Sequence, residues 1–138
     1  ISKRQVKSPK LYFRDSGIMH ALLGVSTEDE LHNNAKLGAS WEGFALEEVV
    51  RRSQVDEHSC YFWSTHSDAE IDLIIFKNGK RLGFEFKYLD SPKITKSIRI
   101  AMDDLNLNSL TIVVPTQCSF FLDNKISVSG LDTIKFIN

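Results

Sequence analysis

The chain has 138 residues, of which 42% are hydrophobic and 25% charged, with 17 basic and 18 acidic residues and a net charge of −1. This is ordinary globular composition at the length of one domain, and it excludes wholesale disorder, collagen and coiled coil. No apolar run exceeds four residues, as in Leu73 to Phe76, so no stretch has the roughly 20 apolar residues that a membrane helix needs.

The near-zero total hides segregation. Residues 1–20 carry five positive charges and one negative, whereas residues 21–58 carry eight negative and three positive. A polyanionic partner is therefore compatible with the sum. Two cysteines cannot form a disulfide scaffold, and Cys60 and Cys118 read as free thiols in a reducing, cytoplasmic compartment. The chain opens on Ile1, and Lys3, Arg4 and Lys7 are followed by no signal-type apolar core. The expectation is a single domain over 1–138, with a basic extended arm at 1–10, excised from a longer protein.

In chain order, Leu11 to Phe13 read as extended. Asp15 or Ser16 caps a short helix carrying Ile18, Met19, Leu22 and Leu23, and Gly24 stops it. Residues 26–36 are polar and acidic, a helical turn or loop. Residues 37–53 form the clearest helix. Its apolar stripe is Trp41, Phe44, Ala45, Leu46, Val49 and Val50, and Arg51 and Arg52 suit its C-terminal dipole. Glu42 falls three, four and seven residues before Ala45, Leu46 and Val49, which places it on the inward stripe.

The period then changes to two. Tyr61 to Ser64 predicts a strand, His66-Ser67-Asp68 a turn, Glu70 to Lys77 a strand and Lys80 to Tyr88 another. Asn78-Gly79 between two such runs is a strong signal for a two-residue type I′ hairpin. Ser91-Pro92 is expected to open a second helix with Ile94, Ile98, Ala101, Met102 and Leu105 on its apolar face. Ser109 to Val114 predicts a strand ended by Pro115. Cys118 to Leu122 and Ile126 to Val128 predict a hairpin, and Thr133 to Ile137 a last short strand or tail. The two Trp and nine Phe read as core. The fold class expected is α/β, a mixed sheet flanked by helices.

The Asn78-Gly79 register pairs Lys77 with Lys80 and carries chemistry with it. Asp72 then falls opposite Glu85, and Glu70 opposite Lys87, with cross-strand Cβ atoms about 4.5–5.5 Å apart. Strict alternation puts these four on one face and Leu73, Ile75, Leu82, Phe84 and Phe86 on the other. Facing carboxylates repel, and a divalent cation between them would remove that cost. Hard cations such as Mg²⁺ take carboxylate oxygens, water and phosphate. Lys87 would stand beside such an ion. The alternative at this point is a solvated sheet face with surface charges. His20, His32, His58 and His66 show no metal spacing and read as surface or locally bonded groups. Lys93, Lys96 and Arg99 recur at three-residue spacing and are weak candidates for phosphate contact, as are Lys3, Arg4, Lys7 and Lys10.

A helical Glu followed by an Asp and then by Glu-x-Lys on the adjacent strand resembles the PD-(D/E)XK nuclease superfamily. More narrowly, the chain resembles the C-terminal domain of unknown function found on many prokaryotic AAA-type ATPases. The stretches that carry this are Lys10-Leu11-Tyr12-Phe13-Arg14-Asp15-Ser16-Gly17 with Ala21-Leu22-Leu23, Gly38 to Phe44, Ala69-Glu70-Ile71-Asp72 and Phe84-Glu85-Phe86-Lys87. Ile71 stands where the superfamily pattern has proline. The resemblance implies a restriction-endonuclease-like three-layer core. It implies Asp72 and Glu85 as Mg²⁺ (or Mn²⁺) ligands, with the Phe86 carbonyl, and Glu42 bound directly or through water. It implies Lys87 as the residue that orients the attacking water and stabilises phosphate charge. The activity implied is metal-assisted hydrolysis of DNA, beside an ATPase module N-terminal to Ile1, since no P-loop motif occurs in this chain. The alternative is a catalytically inactive module that binds nucleic acid or a protein partner.

Overall fold

Asp15 begins the ordered helices. Its carboxylate accepts the backbone N–H groups of Gly17 and Ile18 and so caps α1 (Ser16–Leu22), which ends at Leu23 before Gly24 in left-handed backbone. Thr27 and Glu30 form a reciprocal capping box that turns the acidic 26–36 stretch into α2 (Glu28–His32). The computed structural model describes residues 12–66 and 69–135. The basic arm at 1–10, Leu11, the Ser67-Asp68 part of the predicted turn and residues 136–138 lie outside the described residues.

The long helix α3 (Leu37–Ser53) has the predicted extent. Ala45, Leu46 and Val49 are buried on its inner side and Glu42 is half-buried, but Phe44 is 45% exposed and leaves the predicted stripe. A 3-10 turn (Glu57–Ser59) leads into six strands. These are β1 (Cys60–Ser64), β2 (Glu70–Lys77), β3 (Lys80–Phe86), β4 (Ser109–Val114), β5 (Ser119–Phe121) and β6 (Ile126–Gly130). They form one mixed sheet in the order β1-β2-β3-β4-β6-β5. The β3–β4 and β4–β6 pairs are parallel and the others antiparallel. The crossover between β3 and β4 carries α4 (Lys96–Asp104), and a 3-10 turn (Leu131–Thr133) follows β6.

The core has two parts, one on each face of the sheet. Leu73, Ile75, Leu82, Phe84, Phe86 and Val113 pack with Ala45, Leu46 and Val49 of α3. Ile71, Ile74, Leu110, Ile112, Val114, Ile126 and Val128 pack with Ile98 and Ala101 of α4. Ile112 and Val113, adjacent on β4, enter different clusters because successive side chains alternate. The α/β expectation therefore stands, as a mixed sheet flanked by helices.

Four expectations are corrected. Helix α4 starts at Lys96, because Thr95 is extended and its hydroxyl accepts the Ile98 N–H as the N-cap; Pro92 lies in the lead-in. Strand β3 ends at Phe86 rather than Tyr88. Of the two readings for Thr133 to Ile137, the strand is not seen at Thr133 to Lys135, where Ile134 packs into the core as a tail, and residues 136–137 lie outside the described residues. The aromatic residues are not uniformly core. Phe84 and Phe86 are buried, but Phe13, Phe62, Phe76, Phe120 and Phe121 are exposed. Phe76 keeps apolar company at the surface through an edge-on contact with Tyr61 and the Arg81 guanidinium over its ring. Gly130 is the one position where a close approach demands glycine. A Cβ there would sit 2.5 Å from the Thr116 carbonyl oxygen.

Candidate functional site

The β2–β3 hairpin turns on Asn78 and Gly79, both at positive φ, as a type I′ loop requires. Lys77 pairs with Lys80 as expected, and the register runs on to Leu73 opposite Phe84. There the strands part. Strand β2 continues along β1 to Glu70, and β3 continues along β4 to Phe86. Asp72 and Glu85, the next positions in register, sit at this fork. Each is only 7% exposed.

A bulge lies at the fork. Tyr61 pairs with Ile74 and Trp63 with Ile71, so two steps on β1 span three on β2. The extra residue falls at Asp72–Leu73. Consequently Ile71 and Leu73, two apart, enter opposite core clusters. The predicted common face for Glu70, Asp72, Glu85 and Lys87 is broken here. Bulges re-aim side chains and are frequent next to active sites. Asp72 now borders a cleft of about 620 Å³ on the α3 side, with Leu46, Glu47, Tyr61 and Phe62 among its walls. Glu85 and Lys87 border a smaller hollow of about 210 Å³ on the α4 side, walled by Leu89, Pro92, Ile98 and Ile112.

Asp72 spans the fork. The Lys87 N–H points to β4 and donates to the Val113 carbonyl, so the Phe86 N–H points back toward β2. Asp72 Oδ2 accepts it at 3.1 Å, replacing the ladder bond that the parting strands no longer make. Beside it, Ser97 of α4 clasps Glu70, accepting from its N–H at 2.8 Å and donating to its carbonyl at 2.9 Å.

Lys87 Nζ lies 2.9 Å from Glu85 Oε1. Part of the carboxylate repulsion inferred from the register is therefore met from within the chain. Burial pulls the Lys87 pKa down most strongly, but Glu85, by charge and hydrogen bond, followed by Asp72 and Glu42, outweighs it. The net direction is upward, so Lys87 is a fixed cation at neutral pH. Glu42 thus acts on Lys87 from α3, while itself bordering a separate hollow with Tyr12, Ser16 and Met19. The Trp41 ring meets Tyr88 at 5.8 Å and ties this part of α3 to the chain just past Lys87.

A metal set of Asp72, Glu85 and Glu42 was expected. Among the described residues no group of three or more His, Cys, Asp or Glu is arranged to hold a metal ion. Carboxylate is the donor type that a hard cation takes, and Asp72 and Glu85 both sit at the fork, although they border hollows on its two sides. The weak nucleic-acid set is divided. Lys93 lines the hollow of Glu85 and Lys87, Lys96 opens α4, and Arg99 is turned away into an ion pair with Asp123. Sequence reasoning missed the Ser97 clasp and the Asp72 bridge, since neither has a spacing signal. His20, read as a surface or locally bonded group, instead bonds across elements, its Nε2 lying 2.6 Å from the buried Ser40 hydroxyl and joining α1 to α3. Cys60 and Cys118 are free thiols in different halves of the core. Among the described residues no helix is long and apolar enough to cross a membrane.

Comparison with known proteins places this geometry in a family. The chain is 42% identical over 134 residues to uncharacterised proteins of Mycobacterium bovis and Mycobacterium tuberculosis. That alignment covers 97% of this chain and 30% of each relative, so the chain spans less than a third of their length. No solved structure matches. The family described as Domain of unknown function (DUF4143) matches residues 37–134, a span that includes Glu42, Asp72, Glu85 and Lys87, and the chain belongs to it.

Proposed function

We propose that the chain is a Mg²⁺-dependent nuclease-like domain that hydrolyses DNA phosphodiester bonds, working beside an ATPase module of the same protein. The observation that carries this reading is the fork between β2 and β3, where two buried carboxylates, Asp72 and Glu85, meet a lysine held on one of them. The restriction-endonuclease-like core proposed from the resemblance is compatible with a mixed sheet that has α3 on one face and α4 on the other.

Asp72 and Glu85 are the residues that would hold the ion, with Glu42 reaching it directly or through water. When bound, such an ion supplies Lewis acidity and a more acidic water. Lys87 does the rest as a cation. As an ammonium held 2.9 Å from Glu85 it is placed to donate to the attacking water or to a phosphate oxygen. The walls of the Glu85 and Lys87 hollow include Leu89, Pro92, Ile98 and Ile112, and an apolar surround strengthens such contacts.

A second reading, a catalytically inactive module that binds nucleic acid or protein, is favoured by two observations. Lys87 already compensates Glu85, and in the larger cleft beside Asp72 the two arginines, Arg14 and Arg51, are already paired with Glu57 and Glu48, which leaves Glu47 and Asp72 to face a phosphate backbone. Incubation with single- and double-stranded DNA in Mg²⁺ or Mn²⁺ separates the two. Cleavage that falls about 100- to 1,000-fold in Lys87→Met and vanishes in Asp72→Asn supports the nuclease. Cleavage that survives Asp72→Asn, or no cleavage of any DNA by the unaltered protein, overturns it.

A further inference from the structure

The sheet face under α3 changes character across the strands. On β3 it presents Leu82, Phe84 and Phe86. Their neighbours in register are Ser109, Thr111 and Val113 on β4, then Ser127 and Ser129 on β6, then Phe121 and Ser119 on the edge strand β5. Beyond β3 the face is mostly hydroxyl, although a parallel pair such as β4–β6 is usually apolar and covered on both sides. The Thr111 and Ser127 hydroxyls stand 3.4 Å apart in this row. A hollow of about 350 Å³ lies over it, with Lys125 and Lys135 on its rim. No Asp or Glu lines it among the described residues, in a chain with 18 of them. Phe121 is 76% exposed beside it, the most exposed large apolar side chain among the described residues.

We propose that this face binds single-stranded nucleic acid. An aromatic ring offered to solvent beside lysines, over a hollow whose own lining holds no carboxylate, suits stacking of an unpaired base with phosphates on either side. Phe121 is the stacking platform, Lys125 and Lys135 meet the backbone, and the Thr111 and Ser127 hydroxyls bond sugar or base edges. A duplex keeps its bases stacked on each other and offers Phe121 no ring face. The site lies on the α3 side of β4, β6 and β5, uses none of Asp72, Glu85 and Lys87, and does not depend on the nuclease reading.

The test is fluorescence anisotropy with a labelled 15-nucleotide thymidine strand and a matched duplex, in EDTA so that no cleavage intrudes. The single strand should bind more tightly than the duplex. Phe121→Ala should weaken it about tenfold while Phe121→Tyr keeps it. The Lys125→Ala/Lys135→Ala pair should reduce the slope of log affinity against log salt by about 1.4, the value for two phosphates. Lys80→Ala, at the distant hairpin, should change nothing. Absence of binding, equal binding of the duplex, indifference to Phe121→Ala, or loss only in Lys93→Ala/Lys96→Ala overturns the proposal.

Discussion

Asp72 has a structural duty as well as the chemical one proposed for it. Its Oδ2 is the acceptor for the Phe86 N–H where the strands part. Asn keeps a carbonyl oxygen at that point, whereas Ala leaves a buried amide unmet, at about 1–3 kcal/mol. Asp72→Ala should therefore unfold at lower urea than Asp72→Asn, by about 1–2 kcal/mol, and equal stability would remove the bridge from the account. Loss of function in the alanine variant alone is for the same reason a poor witness for chemistry. The neighbouring ion pair behaves differently with pH. Lys87 is raised above the ordinary lysine value, so its contribution is complete at neutral pH and is lost only as pH climbs past that value.

At the level of elements, the β5–β6 hairpin gives the clearest pH dependence. The Asp123 carboxylate accepts the backbone N–H groups of Lys125 and Ile126 and pairs with Arg99 of α4. The Lys125 bond is the largest effect on its pKa, which is lowered from the ordinary 3.8 despite some opposing desolvation. A lowered folded value means a contribution that is present above the ordinary pKa and fades as pH falls through the lower one. The Lys125 and Ile126 amide resonances should shift with a midpoint below 3.8 in an NMR titration; a midpoint at or above it would contradict the turn's hydrogen bonding. The elements also show what was legible in advance. The Asn78-Gly79 turn and the extents of β2, β4 and α3 follow from local chemistry and were read, while the cap was narrowed to Asp15 or Ser16 and the Asp15 carboxylate decides it. The Asp72 bulge was not, because it is defined by β1, a strand whose pairing leaves no mark on the β2 sequence. The start of α4 was misplaced because Pro92 suits a first turn as well as a lead-in, and the Thr95 hydroxyl decided between them.

For the whole molecule, the order β1-β2-β3-β4-β6-β5 puts the fork inside the sheet, with core on both faces. Alternation alone could count strands and assign faces, but not sheet order, since that depends on which elements meet across the crossover. The same limit explains Phe121, Phe120 and Phe76. An aromatic residue in a strand reads as core until the strand's place at an edge or beyond a helix is known. The candidate residues were legible as a pattern, and their proximity was legible through the hairpin register. The turn of Glu85 and Lys87 toward α4 while Asp72 borders the α3 side was not, because it follows from the bulge. For the divalent cation proposed at the fork of Asp72 and Glu85, calorimetric titration of Mn²⁺ is a test that does not rely on activity. The unaltered protein should bind one Mn²⁺ per chain, and Glu85→Gln, a substitution that keeps shape and removes charge, should lose it. No binding heat in the unaltered protein, or undiminished binding in Glu85→Gln, would contradict it.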